Sequence, residues 1–277
     1  MIRIGISSVC YRNAKAETII DSARAAGLGG IEWSADTHAP HGDSRKAEIL
    51  MMATLRAGLT VSAYGSFYRL GMNESGGASF ETVLQTARHL QAPVIRIWAA
   101  TDPERYKSLR KKKSLSGAAR EMTRDQTAGI ETLISQARGL ADAAGKFGIT
   151  LCMEPHDSSL VHDYGMLETL VVGTGHPFFK ACWTPMNTLD FSAIHASVER
   201  LAPLVSLTHF RAELPLLETE TIPQESPCLA MLSRMAEKER GSNLDSWALI
   251  EYVEDDSPQT LAENARRLLD RIRPVTR

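Results

Sequence analysis

Short apolar runs alternate with segments of helical period along the whole chain, and that alternation leaves few folds open. The runs Arg3–Ser8, Gly30–Trp33, Thr60–Ala63, Val94–Trp98, Thr150–Met153, Phe179–Trp183, Leu204–His209 and Trp247–Val253 read as strands. They alternate with helical segments at Lys15–Ala26, Arg45–Ala57, Phe80–Leu90, Gln126–Phe147, Gly165–Val172, Ser192–Leu201, Cys228–Lys238 and Pro258–Arg273. Ile19, Ile20, Ala23 and Ala26 line one face of the first helix, and Ile49, Leu50, Met52 and Ala53 are expected inward on the second. Gly27, Gly58 and Gly148 supply stops. The strands are nearly continuous in apolar residues, as expected when both faces of a parallel sheet are covered. Eight such units with no break in composition predict an α/β fold, one closed (β/α)8 barrel over residues 1–277. An open doubly wound sheet is the alternative, but no Gly-rich phosphate turn follows the first strand.

A barrel of this kind places its chemistry at the C-terminal ends of the strands. Those ends are polar here. The fifth run closes on Glu154-Pro155-His156, the seventh on Thr208-His209, and the eighth contains Glu251. The second leads into Glu32-Trp33, Asp36 and His38, the third into Tyr64, and the fourth ends Arg96-Ile97-Trp98. A carboxylate at the end of a buried strand is costly unless it meets a cation, a metal or a cleft. Glu154 and Glu251 lie on the fifth and eighth strands, across the barrel from each other, and His209 adds a nitrogen. Two carboxylates and an imidazole suit Mn²⁺, Mg²⁺, Co²⁺ or Zn²⁺ with positions left for substrate oxygens. Such a site acidifies a C–H beside a carbonyl, so one glutamate can remove the proton and the other return it. That is aldose–ketose isomerisation or epimerisation through an enediolate. Trp33, Trp98 and Tyr64 would pack on the sugar, Arg96 would take an oxygen or phosphate, and His38 and His156 would reach hydroxyls.

These segments carry a resemblance. Gly30-Ile31-Glu32-Trp33 with Asp36 and His38, Tyr64-Gly65-Ser66-Phe67-Tyr68-Arg69, Ile95-Arg96-Ile97-Trp98, Met153-Glu154-Pro155-His156 and Ile250-Glu251-Tyr252-Val253-Glu254-Asp255-Asp256 span nearly the whole chain. The sequence resembles the sugar phosphate isomerase/epimerase group of the xylose isomerase-like TIM barrel superfamily. The resemblance implies a metal held by Glu, Asp, His and Glu on strands five to eight, with Glu154, His209 and Glu251 at the first, third and fourth positions and the two glutamates transferring the proton. At the second position this chain departs: Thr184-Pro185-Met186-Asn187 stands where the family has Asp followed three residues on by His. Three outcomes stay open: a three-ligand site, a site completed by His156, or a barrel without metal or activity.

Each residue also has a plainer reading. Glu154 and Glu251 can be structural ion-pair partners, His209 a core histidine bonded to a carbonyl, and Arg96 a salt bridge across the barrel end. Trp33 and Trp98 can cap the core, Asp36 can brace its loop, and His41 can be solvated. The competing functions are a keto-polyol dehydratase on the same scaffold, an abasic-site endonuclease, and a non-catalytic sugar-binding barrel. The net charge of -2 offers no general attraction to nucleic acid or membrane. The expected partner is therefore a small carbohydrate or sugar phosphate, and a barrel of this size can form a homodimer. Cys10, Cys152, Cys182 and Cys228 lack CxxC spacing and are expected as buried thiols in a reducing compartment. No signal-peptide core or membrane-length apolar stretch occurs, so the expected location is cytoplasmic. The basic segment Glu104–Arg124 reads as a lid for an acidic sugar or as a solvated face. The loop bearing Glu213, Glu218, Glu220 and Glu225 is its acidic counterpart.

Overall fold

The computed structural model describes residues 2–72, 78–101, 124–186, 189–211, 226–239, 246–253 and 257–272. Its strands are β1 (Arg3–Ser7), β2 (Gly30–Ser34), β3 (Thr60–Leu70), β4 (Val94–Ala99), β5 (Thr150–Met153), β6 (Phe179–Trp183), β7 (Val205–Arg211) and β8 (Trp247–Tyr252). They pair in parallel in chain order, and β8 closes onto β1, so the sheet has no free edge. The helices are α1 (Ala16–Ala25), α2 (Ser44–Arg56), α3 (Phe80–His89), α4 (Arg124–Gly145), α5 (Tyr164–Thr174), α6 (Phe191–Leu201), α7 (Pro227–Glu239) and α8 (Pro258–Ile272). Side chains of Asp43, Ser79, Asp163 and Asp190 accept the backbone N–H three residues on and start four of these helices. Glycine stops are in place at Gly27 and Gly58, with φ of 73° and 77°. The basic segment and the acidic loop named above lie outside the described residues, apart from the helical Arg124.

Period-two alternation divides the apolar residues into two layers. The large layer fills the space between sheet and helices. The small one, Ala63, Val94, Cys152, Cys182, Leu207, Trp247 and Leu249, fills the barrel itself. Trp247 plugs the N-terminal end beneath the Arg3 guanidinium, 5.4 Å from its ring. Glycine at 30 makes room for it, because a Cβ there would meet the indole at 2.6 Å and the Thr60 carbonyl at 2.8 Å. Gly30→Ala is expected to destabilise by about 1–3 kcal/mol through overpacking. A denaturant midpoint measures this, and an unchanged midpoint would contradict the plug.

Two expectations from the sequence need correction. On α2, Ile49 and Met52 are 52% and 42% exposed, whereas Ala47, Leu50 and Thr54 are buried. The inward threonine has a polar partner, because Thr54 Oγ1 accepts from the indole N–H of Trp33 at 3.1 Å. The third strand also runs seven residues beyond Ala63, to Leu70. It carries an irregularity between Gly65 and Tyr68, where one step of β4 is matched by three steps of β3.

Candidate active site

Continuing the inward parity toward the C-terminal end gives Ser7, Glu32, Arg96, Glu154, His209 and Glu251. Every one of them meets another at the barrel mouth. Arg96 is buried to 1% exposure and is held by two carboxylates: Nη1 donates to Glu154 Oε2 at 2.6 Å, Nη2 to Glu32 Oε1 at 3.2 Å, and Nε to Glu32 Oε2 at 3.3 Å. Glycine at 65 gives this pair its space, since a Cβ would lie 2.9 Å from both Arg96 Nη2 and Glu32 Oε1.

Glu32 also accepts from Ser7 Oγ at 2.7 Å and lies 3.3 Å from His209 Nε2. Burial alone would raise its carboxyl, but the charges of Arg96 and His209 overrule that and hold it at about 2. Glu154 follows the same logic: burial opposes ionisation, and Arg96 with His209 drives the carboxyl well below the usual range. The Trp98 indole N–H donates to the same Oε2 at 2.5 Å. One oxygen of Glu154 is thus clamped by two donors, and Oε1 is turned toward His209.

His209 is fully buried. Its Nε2 faces Glu32, which fixes the hydrogen on that nitrogen and leaves Nδ1 as the one that could give up its proton to a metal. That Nδ1 lies 3.4 Å from Glu154 Oε1 and 3.3 Å from Glu251 Oε1, without the alignment of a hydrogen bond to either. Burial alone would favour the neutral ring, but Glu32, Cys182, Glu251 and the Glu154 contact raise its basicity well above the ordinary value. The Cys182 thiol belongs to the same cluster: with ligand atoms of Glu154 and His209 it forms a set lying within 4.8 Å of one another. Burial pushes that thiol well up. A ring nitrogen without a hydrogen bond, facing two carboxylate oxygens and backed by a carboxylate on its far side, fits a divalent cation. With His209 protonated, as its raised basicity favours, Glu32, Glu154 and Glu251 outweigh Arg96 and His209 by one charge, and a divalent cation that displaced the Nδ1 proton would leave the cluster neutral.

His156 sits beside this cluster, its ring 4.5 Å from that of Trp98. Its Nδ1 accepts from Ser158 N–H at 3.3 Å, which leaves Nε2 as the protonated nitrogen. Burial outweighs the opposing pull of Glu154, lowers its basicity and keeps the ring neutral. Glu154, His209, Glu251, Arg96, Trp98 and His156 therefore come together. Trp33, Tyr64 and His38 do not join them. Alternation turns Trp33 and Tyr64 to the outer face of the sheet once Glu32 and Gly65 point in. There the Tyr64 hydroxyl donates to the Ala39 carbonyl, 3.0 Å away, and lies 2.7 Å from His41 Nδ1. His38 Nε2 bonds the Ala14 carbonyl at 3.1 Å. Asp36 braces its loop, pairing with Arg12, Ser34 and Thr37. Asn187 lies outside the described residues. Thr184 is buried, and its carbonyl accepts from the Tyr164 hydroxyl at 2.9 Å.

Glu32, Ser7 and Cys182 are members of this site that the sequence-based set lacks. The signal for Glu32 was present, because it shares the parity of Gly30 in a strand that is otherwise apolar.

Fold and site together define a (β/α)8 barrel whose C-terminal mouth sets three carboxylates around an imidazole and a guanidinium. The chain belongs to the xylose isomerase-like TIM barrel family, whose model matches residues 20–214. D-psicose 3-epimerase from Clostridium cellulolyticum H10, solved with D-tagatose, is similar with a TM-score of 0.69 and 16% identity, covering 99% of each chain. A xylose isomerase-like TIM barrel protein from Mycobacterium smegmatis in complex with magnesium gives 0.65 at 15% identity, covering 99% of this chain and 98% of that one. A family 2 AP endonuclease from Brucella melitensis gives 0.63 at 17% identity, covering 96% and 99%. At such identities the likeness is one of fold. No curated protein sequence matches the chain significantly. Among the described residues, no helix is long and apolar enough to cross a membrane.

Proposed function

We propose that the protein is an isomerase or epimerase of a small carbohydrate, moving a proton between Glu154 and Glu251. The observation that carries this reading is the convergence of Glu154 Oε1 and Glu251 Oε1 on the unbonded Nδ1 of His209. A divalent ion held by Glu154, His209 and Glu251, with Cys182 in reach, would polarise a substrate carbonyl and its neighbouring hydroxyl. Glu154, fixed through Oε2 by Arg96 and Trp98, would hold the ion with one lone pair of Oε1 and offer the other to the acidified C–H from one side. Glu251, on the opposite part of the ring of strands, delivers a proton from the other. The partly exposed Trp98 indole borders the carbon skeleton, and His156 Nε2–H donates to a hydroxyl. Trp33, Tyr64 and His38 act from behind, holding the loops that frame the mouth.

Cobalt titration followed by a ketose panel tests the proposal. One Co²⁺ per chain is expected, with its absorption lost in His209→Ala, and the loaded protein should yield a product of unchanged mass. Imidazole and thiol are softer donors than carboxylate, so zinc and cobalt are expected to displace magnesium in competition. A product lighter by one water would instead identify a dehydratase. No uptake of any divalent ion would refute the metal-assisted reading.

A further inference from the structure

Resting on the carbohydrate reading, we propose that Arg69 is an anion-recognition residue and that the substrate carries a carboxylate or phosphate at the end remote from the reacting carbon. The irregularity in β3 builds this feature. Ser66 Oγ donates to the Arg96 carbonyl at 2.7 Å and accepts from Tyr68 N–H at 3.2 Å, so a side chain replaces part of the ladder. Phe67 takes the left-handed region with φ of 55°, uncommon for a residue with a bulky side chain. The strand then resumes with Arg69 opposite Trp98. The result is a shelf: the Arg69 guanidinium lies 4.9 Å over the Trp98 ring, Phe67 meets that ring edge-on at 4.9 Å, and His156 packs on it at 4.5 Å.

The four residues are partly exposed. Arg69 Nη1 is nonetheless buried and has no hydrogen-bond partner. Among the described residues, no carboxylate pairs with this guanidinium. The carboxylates clustered at the mouth among the described residues are committed elsewhere, Glu32 and Glu154 to Arg96 and Glu251 to His209. A half-buried guanidinium that no described carboxylate neutralises is a place where an arriving anion is stabilised. Its planar fork suits a carboxylate or phosphate bound through two parallel hydrogen bonds. The location fits a substrate terminus, because Trp98 touches Glu154 through Nε1 and Arg69 through its face. The anion and the reacting carbon are thus one indole apart.

The test is calorimetric binding to the metal-loaded protein of D-fructose, D-fructose 6-phosphate, 5-keto-D-gluconate and inorganic phosphate. At least one charged sugar is expected to bind about ten- to a hundredfold more tightly than D-fructose. Arg69→Gln should abolish that preference and leave D-fructose binding, the cobalt spectrum and the thermal midpoint unchanged. Arg69→Lys should restore part of it, because the charge returns without the fork. Preference for the phosphate or for the carboxylate tells the two sources of anion apart. Equal affinity for neutral and charged sugars, or equal weakening of both in Arg69→Gln, would overturn the role of Arg69 while leaving the carbohydrate reading standing. Binding of inorganic phosphate that survives Arg69→Gln, with no sugar bound by either protein, would refute both.

Discussion

Replacing Arg96 by methionine is expected to cost about 3–5 kcal/mol of stability, the effect of leaving a buried charge without its partner. Arg96 is the hub of the barrel mouth: it neutralises Glu32 and Glu154 at once, and all three are buried. Methionine keeps most of the side-chain volume but none of the charge, so both carboxylates would lose their guanidinium, with only His209 near. The deficit should depend on pH with a defined sign. Glu32 is held at about 2 in the folded protein, below its unfolded value. Its contribution is therefore complete above the unfolded value and is lost as pH falls toward 2. In the variant both carboxyls accept protons more readily, so the gap to the wild type should narrow from pH 8 toward pH 5. Denaturant unfolding at the two pH values measures it. A constant gap would mean that the loss is one of packing rather than of charge.

Glu154→Gln is expected to cut turnover by about 10²–10⁴-fold, the usual contribution of one positioned acid–base group. It removes the basic oxygen that faces His209, while the amide still fills the space and can accept from Arg96 and Trp98. Stability should fall much less than in Arg96→Met, because Glu32 still compensates the guanidinium. The contrast separates the two residues: Arg96 acts on the fold and on the orientation of Glu154, whereas Glu154 acts on the substrate. Loss of stability comparable to Arg96→Met, with turnover retained, would place Glu154 in the scaffold alone.

Much of this arrangement was legible in the sequence for a physical reason. Strands of a barrel buried on both faces cannot hide a charge, so Glu154, Arg96, His209 and Glu251 stood out against apolar neighbours, and the architecture told which end of the barrel they share. Glu32 stood out less because Trp33, one residue on, drew attention to the wrong face. The two side chains point in opposite directions, and although Glu32 shares the parity of Gly30, which of the two faces is the inner one is fixed only by the register with β1 and β3. Cys182 is chemically indistinguishable in sequence from a core thiol such as Cys152, and only its nearness to Glu154 and His209 marks it. Arg69 was hidden by the backbone: a regular strand ending at Ala63 leaves it in a loop, and the irregular step at Ser66 and Phe67 returns it to the mouth. The phase of α2 was lost for a similar reason, since an inward threonine is explained by the Trp33 indole and not by helical hydrophobicity.

Solvent deuterium exchange tests the central claim, proton transfer between two glutamates, most directly. The metal-loaded protein would be incubated in D₂O with the neutral and anionic ketoses above, and each sugar followed by NMR and mass spectrometry. One deuterium is expected at a single carbon next to the carbonyl of at least one sugar, together with its isomer or epimer. Interconversion should be lost in both Glu154→Gln and Glu251→Gln. The absence of carbon-bound deuterium in every sugar, from protein that has taken up its metal, would contradict it.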